Sequence, residues 1–188
     1  MSELETASSL DLVHRAREHD AVAFSALLQP RLAGLLRTAT AVLGNDGDAR
    51  DALQAALTNA WLHVGALRAT DRFDAWLLRI VVNECRHALR RRGRARVREI
   101  SIGVEEEPWT TPLVSSDGLA DSVVGRDTFD RAFERLGADQ RAILVLRYHD
   151  EMAIAEIAAV LAVPEGTVKS RLFAARSSLE RALEKENR

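Results

Sequence analysis

The sequence predicts an all-α protein made of two small helical domains joined by a flexible linker. Its abundant Ala, Leu, Arg and Glu favour helix, only four prolines interrupt the chain, and an aromatic content of 5% argues against a β-sandwich. Apolar residues recur at spacings of three and four on both sides of one stretch that lacks a sustained period. We therefore expect domains at 1–92 and 126–188, with an acidic linker at 93–125.

Three helices are predicted in the first domain. Apolar spacing places the first from 24 to 36, and the glycine-containing run 44–47 ends it. We expect Asp48 to cap the second helix and either Thr70 or Asp71 to cap the third. The residues expected to face inward are Phe24, Leu27, Leu28, Leu32, Leu35 and Leu36, then Leu53, Leu57, Ala60, Trp61, Val64 and Leu67, then Phe73, Trp76, Leu77, Ile80, Val81 and Ala88.

The second domain is predicted to contain a helix-turn-helix. A helix around 129–136 stops at Gly137, and Asp139 is a candidate cap for the next helix. Two short helices then follow in close succession, with Ala162-Val163 as the turn and Pro164 opening the second. This tight junction suits a helix that enters a DNA major groove, although an ordinary helical hairpin with solvated charges fits the same pattern.

Positive charge is concentrated in one segment. The net charge is only −2, yet Arg86–Arg98 contains seven arginines and no acid, whereas Glu99–Arg135 carries nine acids and three arginines. Such a chain can bind nucleic acid through this segment despite its near-neutral net charge. The alternative is that the segment is only a solvated charged face that precedes a linker. The helix that leads into this segment carries a polar stripe formed by Arg79, Asn83, Arg86, His87, Arg90 and Arg91.

The side chains of the polar stripe and of the predicted helix-turn-helix suit contacts with nucleic acid. Asn83 lies one turn before the arginine segment, and an amide can pair with adenine through one donor and one acceptor, which arginine cannot do. In the helix-turn-helix, donors for phosphates and guanine edges are supplied by Thr167, Lys169, Ser170, Arg171 and Arg176.

Other classes of function are disfavoured. The single cysteine, Cys85, excludes an internal disulfide framework, and its apolar-patterned helix predicts that it is buried. His14, His19, His63 and His149 have no mutual spacing that would bind a metal, and no catalytic triad or carboxylate pair stands out. We expect no enzyme, metal or cofactor. The chain has no long apolar run and no signal-peptide pattern, so we expect a cytoplasmic protein without membrane insertion.

Three segments together resemble a known family. The segment DARDALQAALTNAW at Asp48–Trp61 is similar to the polymerase-binding stretch of bacterial sigma factors, and FDAWLLRIVVNECRHA at Phe73–Ala88 is similar to the stretch that follows it. The segment LGADQRAILVLRYHDEMAIAEIAAVLAVPEGTVKSRLFAARSSL resembles the C-terminal DNA-binding domain of that family. By their order, spacing and joint presence, the chain is identified as a member of the extracytoplasmic-function (ECF) group of sigma-70 factors.

The resemblance implies a role for each candidate residue. Asp48, Asp51 and Gln54 would contact the clamp helices of the largest subunit of core RNA polymerase, with the polymerase flap as a further contact. The polar stripe would hold the unwound minus-ten element as a single strand, and the donors of the helix-turn-helix would read the minus-thirty-five duplex. The linker would lie near the RNA exit path and the active-site cleft. An anti-sigma protein that covers the polymerase-binding surface is a further expected partner.

Four positions depart from the family pattern. Arg50 stands where relatives usually carry an acid, and Ala55 and Ala56 replace a common Glu-Thr, which would weaken or retune docking to polymerase. Ala174 occupies a position that is often basic in the recognition helix, so one DNA contact would be missing.

Two rival functions stay open at this point. One is a helix-turn-helix repressor that dimerises through its N-terminal helices and binds a palindrome, which tight operator binding without polymerase would favour. The other is a sigma mimic that sequesters a regulator without touching DNA. Activity that survives charge reversal at Arg86 and Arg90 would favour the mimic.

Overall fold

Helices make up all the regular structure that the computed structural model describes, which is residues 9–102 and 120–187, with side chains described for 9–94 and 127–187. The all-α prediction is confirmed. The helices are α1 Ser9–Arg17, α2 Ala21–Leu28, α3 Leu32–Leu43, α4 Asp46–His63, α5 Phe73–Ile102, α6 Ala120–Glu134, α7 Ala138–Leu144, α8 Ile154–Leu161 and α9 Glu165–Glu186. Short 3-10 turns at Val64–Ala66 and Thr70–Arg72 precede α5, and a π-helical turn at Val145–His149 follows α7.

The prediction of one helix over 24–36 is wrong, because the chain forms two helices there. α2 ends at Leu28 and α3 begins at Leu32, with Pro30 between them. Proline has no N–H to donate to the carbonyl four residues earlier, and its ring crowds that carbonyl, so a continuous helix is disfavoured. α1 was not predicted from the sequence; it packs against α2 and buries Val13 and Ala16.

Gly44 ends α3 at the predicted break. Its φ of 80° lies in the left-handed region, and its N–H donates to the carbonyl of Thr40 at 2.8 Å. The next cap differs from the prediction, because Asn45 caps α4 by accepting the N–H of Asp48 on its Oδ1 at 2.8 Å. Asp48 therefore lies inside the first turn of α4 and does not cap it.

α5 extends further than the sequence predicted. It begins at Phe73, after a 3-10 turn that contains the candidate caps Thr70 and Asp71. It continues past Gly93 to Ile102, so the backbone of 93–102 is helical where a linker was expected. Three arginines and one alanine follow Gly93 within the helix, and their high helix propensities outweigh one glycine. The rest of the expected linker, 103–119, lies outside the described residues, and helix resumes at Ala120.

Two apolar cores form, and α5 contributes side chains to both of them. Val81 is fully buried in the first core, whereas the next residue, Val82, is 1% exposed and belongs to the second. The first core lies among α1–α5 and includes Phe24, Leu27, Leu43, Leu53, Phe73 and Leu77. The second lies among α6–α9 and includes Leu136, Ile143, Leu146, Ile157, Val168 and Leu172. The two halves of the chain are therefore packed against each other along α5.

The single residues expected in the first core are found there. Cys85 is fully buried and Phe73 is 3% exposed. Trp61 and Trp76 are partly buried and pack against the same core, with the Trp61 ring 5.1 Å from the ring of Phe24. Their apolar surroundings confirm a structural role.

Arg141 is a buried cation that closes the junction between α6 and α7. Its guanidinium donates to the carbonyls of Leu136, at 3.3 Å, and Glu134, and it lies 5.6 Å from the ring centroid of Phe133. Burial lowers its pKa from the ordinary value. The predicted cap at Asp139 is wrong, because α7 follows Gly137, whose N–H donates to Oε1 of Gln140 at 3.1 Å.

Candidate functional site

The polar stripe of α5 faces away from the first core, as predicted. Arg79, His87, Arg90 and Arg91 are exposed, and Asn83 and Arg86 are half-buried. Nη1 of Arg86 donates to Oδ1 of Asn83 at 3.1 Å, so the amide oxygen is engaged by a neighbouring arginine of the stripe. The structure thus brings together all six predicted stripe residues on one helix.

An open cavity lies beside the end of this stripe. It has a volume of about 440 Å³ and is lined by Glu84, His87, Arg90, Arg91 and Arg94. Three guanidinium groups face one carboxylate here, so the cavity favours an anionic group such as a phosphate. Glu84 and Arg94 were not predicted as site residues, although Glu84 lies three residues before His87 and Arg94 lies four residues after Arg90.

Two arginines of the stripe already hold a carboxylate from α7. Arg86 pairs with Asp139, and Nη2 of Arg90 lies 3.1 Å from both carboxylate oxygens of Asp139. Burial alone would raise the pKa of Asp139, but the charge and hydrogen bond of Arg86, followed by those of Arg90, hold it below the ordinary value. Asp139 is therefore an anionic ligand of the stripe that sequence reasoning missed.

The helix-turn-helix forms at the predicted place. Ala162 caps the end of α8 with φ 51°, and the N–H of Val163 donates to the carbonyl of Ala158 at 3.1 Å. Pro164 precedes α9 rather than occupying its first turn, and its carbonyl accepts the N–H of Thr167 at 2.9 Å. Buried Ile157, Val160 and Val168 hold the two helices together. The tight turn leaves the opposite face of α9 open.

That open face carries the predicted donors and one residue that was not predicted. From the helical period, Ser170 and Phe173 lie at its centre, Lys169 and Arg176 along one edge, and Thr167, Arg171 and Ala174 along the other. Phe173 is 75% exposed, an unusual exposure for phenylalanine. Phe173 does not share the helical spacing of the buried residues Val168 and Leu172, so its exposure could have been predicted from the sequence. Oγ of Ser170 donates to the carbonyl of Thr167 at 3.0 Å and keeps its acceptor capacity.

The three candidate polymerase contacts lie on α4 but differ in their surroundings. Asp51 and Gln54 are exposed on the face opposite buried Ala49 and Leu53. Asp48 is half-buried and accepts hydrogen bonds from Arg92 Nη1 at 2.9 Å and Asn45 Nδ2 at 3.0 Å. The carboxylate of Asp48 therefore links the first turn of α4 to Arg92 in the arginine segment of α5.

A further apolar residue continues this surface. Leu62 is 65% exposed and follows Asp51, Gln54 and Thr58 at spacings of three or four along α4. We call Asp51, Gln54, Thr58 and Leu62 the α4 face. An apolar side chain on an otherwise polar helix face is a signal that the sequence analysis overlooked.

The four residues that depart from the family pattern differ in their exposure to solvent. Arg50 is exposed and pairs with Asp46 one turn earlier at 2.6 Å. Ala56 is fully buried against the first core, whereas Ala55 and Ala174 are exposed. Only Arg50, Ala55 and Ala174 are therefore placed to alter a contact with another molecule.

The described residues form neither a metal site nor a membrane span. No group of three or more His, Cys, Asp or Glu is placed to hold a metal ion there. No described helix is long and apolar enough to cross a membrane.

Comparisons with known proteins assign both halves of the chain to one family. Residues 27–95 match the family model of Sigma-70 region 2, and residues 126–179 match Sigma-70, region 4. The chain is 36% identical over 167 residues to the ECF RNA polymerase sigma factor SigM of Mycobacterium tuberculosis, which covers 87% of this chain and 79% of that protein. This chain belongs to the ECF sigma factors. It is also 30% identical over 177 residues to the ECF RNA polymerase sigma-E factor of Escherichia coli, covering 90% and 91% of the two chains.

Two solved structures share the fold. One is the sigma factor RpoE in complex with the anti-sigma factor NepR from Bartonella quintana, with a TM-score of 0.60, 27% identity and coverage of 86% of this chain and 96% of that one. The other is CnrH in complex with the cytosolic domain of CnrY, with a TM-score of 0.63, 23% identity and coverage of 95% and 99%. In this ECF sigma factor, α1–α5 are called the region 2 domain below, and α6–α9 the region 4 domain.

Proposed function

We propose that this ECF sigma factor binds core RNA polymerase and directs it to promoters, and that it catalyses no reaction itself. The observation that carries the proposal is the pairing, in one chain, of the polar stripe on the region 2 domain with an open recognition face on the region 4 domain. This pairing suits two separate promoter elements better than one operator. We expect the protein to act in the cytoplasm, where RNA polymerase and the chromosome lie.

The two DNA surfaces suit different forms of DNA. In the region 2 domain, the amide of Asn83 can read a base edge while the arginines hold phosphates of a melted minus-ten strand. In the region 4 domain, α9 is a helix that follows a tight turn, as is required to enter the major groove of the minus-thirty-five duplex. Lys169 and Arg176 would hold phosphates, and Phe173 would contact thymine methyl groups.

The α4 face, with Asp48 beside it, is the proposed contact with the clamp helices of the polymerase, and the region 4 domain is the proposed contact with the flap. Charged and amide groups on an exposed helix face fix the register of a protein contact more than its affinity. Exposed Leu62 would add apolar area to the same contact.

Run-off transcription tests this proposal. Core polymerase with the purified protein is expected to start at specific sites on genomic DNA, and transcripts identical to those of core enzyme alone would contradict the proposal. Replacing both Asp51 and Gln54 by Ala should weaken binding to core about tenfold, because two polar contacts are lost. Asp127→Ala, which removes an exposed acid that pairs with Arg131 within α6, is the matched control.

An anti-sigma protein is the third proposed partner. The sigma factor RpoE of Bartonella quintana, which shares this fold, was crystallised with an anti-sigma factor. We expect a protein of this class to compete with core polymerase for the α4 face. Competition that persists at full strength when Asp51 and Gln54 are replaced by Ala would place the anti-sigma contact elsewhere.

A further inference from the structure

Two adjacent apolar side chains lie on the open face of α9. Phe173 is 75% exposed, and Ala174, the next residue, is exposed as well. Neither belongs to the second core, to which α9 contributes the buried residues Val168, Leu172 and Ala175. Exposed apolar groups that sit together on a polar face mark a contact with another molecule.

The charged side chains around this pair favour DNA as that molecule. Lys169, Arg171 and Arg176 are exposed, and none of them forms an ion pair within the described part of the chain. Three cations without an internal partner attract the phosphates on either side of a groove. The apolar pair between them then faces the base edges, where thymine presents its 5-methyl group in the major groove.

Ser170 offers the same groove an acceptor. Its Oγ–H donates to the carbonyl of Thr167 at 3.0 Å, so the oxygen can still accept a hydrogen bond while its proton is already used. Ala174 lies four residues further along α9, a rise of about 6 Å. An acceptor near apolar groups matches an A·T pair, because adenine presents an amino group and thymine a methyl group in the major groove.

Ala174 cannot read the base that a basic residue would read at its position. This position is often basic in the family pattern, and a cationic side chain there would donate to the two acceptors of guanine. Alanine has no side-chain donor, and its methyl group gains contact only with another apolar group. Thymine is the base that offers such a group in the major groove.

We propose that Ala174, together with Phe173, selects thymine in the minus-thirty-five element by contact with its 5-methyl group. Ser170 accepts a hydrogen bond from the amino group of an adenine in the same groove. Arg171 is the donor for guanine at the edge of the face. The inference rests on the proposed function of α9, and it names the bases that this helix reads.

The experiment measures base preference with the full chain bound to core RNA polymerase. The template is a promoter found by the run-off transcription proposed above, with its minus-thirty-five region randomised. Duplexes that the holoenzyme retains are sequenced, and the enriched element is expected to contain thymine. Enrichment of an element that lacks thymine on both strands would overturn the proposal.

Deoxyuridine then tests the methyl group directly, because it pairs as thymine does and lacks only the 5-methyl group. Each thymine of the enriched element is replaced in turn, and binding of the holoenzyme is measured by fluorescence anisotropy. At the thymine that Ala174 contacts, binding is expected to weaken about fourfold, the factor that corresponds to one buried methyl group. Thymines outside the element should be insensitive. Deoxyuridine without effect at every thymine of the element would overturn the proposal.

Two arginine variants assign the effect to Ala174. Ala174→Arg replaces a methyl group by donors, so the enriched element should gain guanine at the sensitive base pair and lose its response to deoxyuridine there. Ala159→Arg adds the same charge at an exposed position of α8 and is the matched control. The control should bind all duplexes more tightly and keep the preference for thymine. If both variants keep the same element and the same response to deoxyuridine, another residue reads the methyl group and the proposal is wrong.

Failure of the proposed function would give a different result. A holoenzyme that starts at no specific site, or that enriches no sequence from the randomised region, would show that α9 does not read a promoter element. A specific element whose thymine methyl groups have no effect would leave the proposed function intact and overturn only the selection of thymine by Ala174.

Discussion

Ala162 ends α8 in the left-handed region, with φ 51°, a conformation that costs a residue other than glycine about 1 kcal/mol. We expect Ala162→Gly to raise the free energy of unfolding by about 1 kcal/mol, since glycine has no Cβ to strain. Ala159→Gly, at an exposed position inside α8, should lower it by a similar amount. Urea denaturation of both variants checks this pair, and a fall in stability for both would contradict the strain at Ala162.

Cys85 offers a second prediction for a single residue. Burial raises the pKa of its thiol to about 12, so almost no thiolate forms near neutral pH. We expect no alkylation of the folded protein by iodoacetamide at about pH 8, and rapid alkylation in denaturant. The rate of alkylation measured by mass spectrometry tests this. Labelling of the native protein at the rate of a free thiol would mean that the first core opens at α5.

On α9, two substitutions separate affinity from specificity. Lys169→Ala should weaken binding to every duplex and lower the slope of binding against salt by about one, because one phosphate contact is lost. Phe173→Ala should weaken binding to the minus-thirty-five sequence about tenfold and leave the salt slope unchanged, since only an apolar base contact is removed. Fluorescence anisotropy over a range of salt concentrations distinguishes the two results. Equal slopes for both variants would contradict the placement of Lys169 at the phosphate edge.

The type of most helices could be predicted from the sequence, but their limits depended on particular backbone groups. The spacing of apolar residues identified α4, α5, α8 and α9, because each buries one continuous face. It could not separate α2 from α3, since the apolar period continues through Pro30 and only the missing N–H ends the helix. The cap of α4 was misplaced because Asn45 and Asp48 are both good capping residues, and backbone geometry decides between them.

The candidate site was predicted residue by residue, but its contacts were not. Helical spacing was enough to place the polar stripe and the donors of α9 on exposed faces. It carried no information on Asp139, whose partners Arg86 and Arg90 are distant in sequence. Long-range pairs of this kind depend on how the domains pack, which a one-dimensional period does not describe.

The molecule as a whole is expected to unfold in one step, because α5 contributes to both cores. Val81 lies in the first core and Val82 in the second, so loss of this helix removes part of each. With Trp109 replaced by Phe, fluorescence reports Trp61 and Trp76 in the region 2 domain, and circular dichroism reports all helices. Thermal transitions by the two signals should coincide. A separate, lower transition seen by circular dichroism alone would show that the region 4 domain unfolds independently.

The packing along α5 also bears on how a shortened form of this protein would behave. Ala75, Leu78 and Val82 pack against the core of the region 4 domain, and Leu78 also packs against the first core, so removal of α6–α9 would expose an apolar strip to water. Such a strip, bordered by arginines that repel one another, would draw two copies together weakly and more strongly at high salt, where charge is screened. A fragment ending at residue 102 would then self-associate through this apolar strip. Its solubility would fall as ionic strength rises, whereas the intact chain keeps the strip covered.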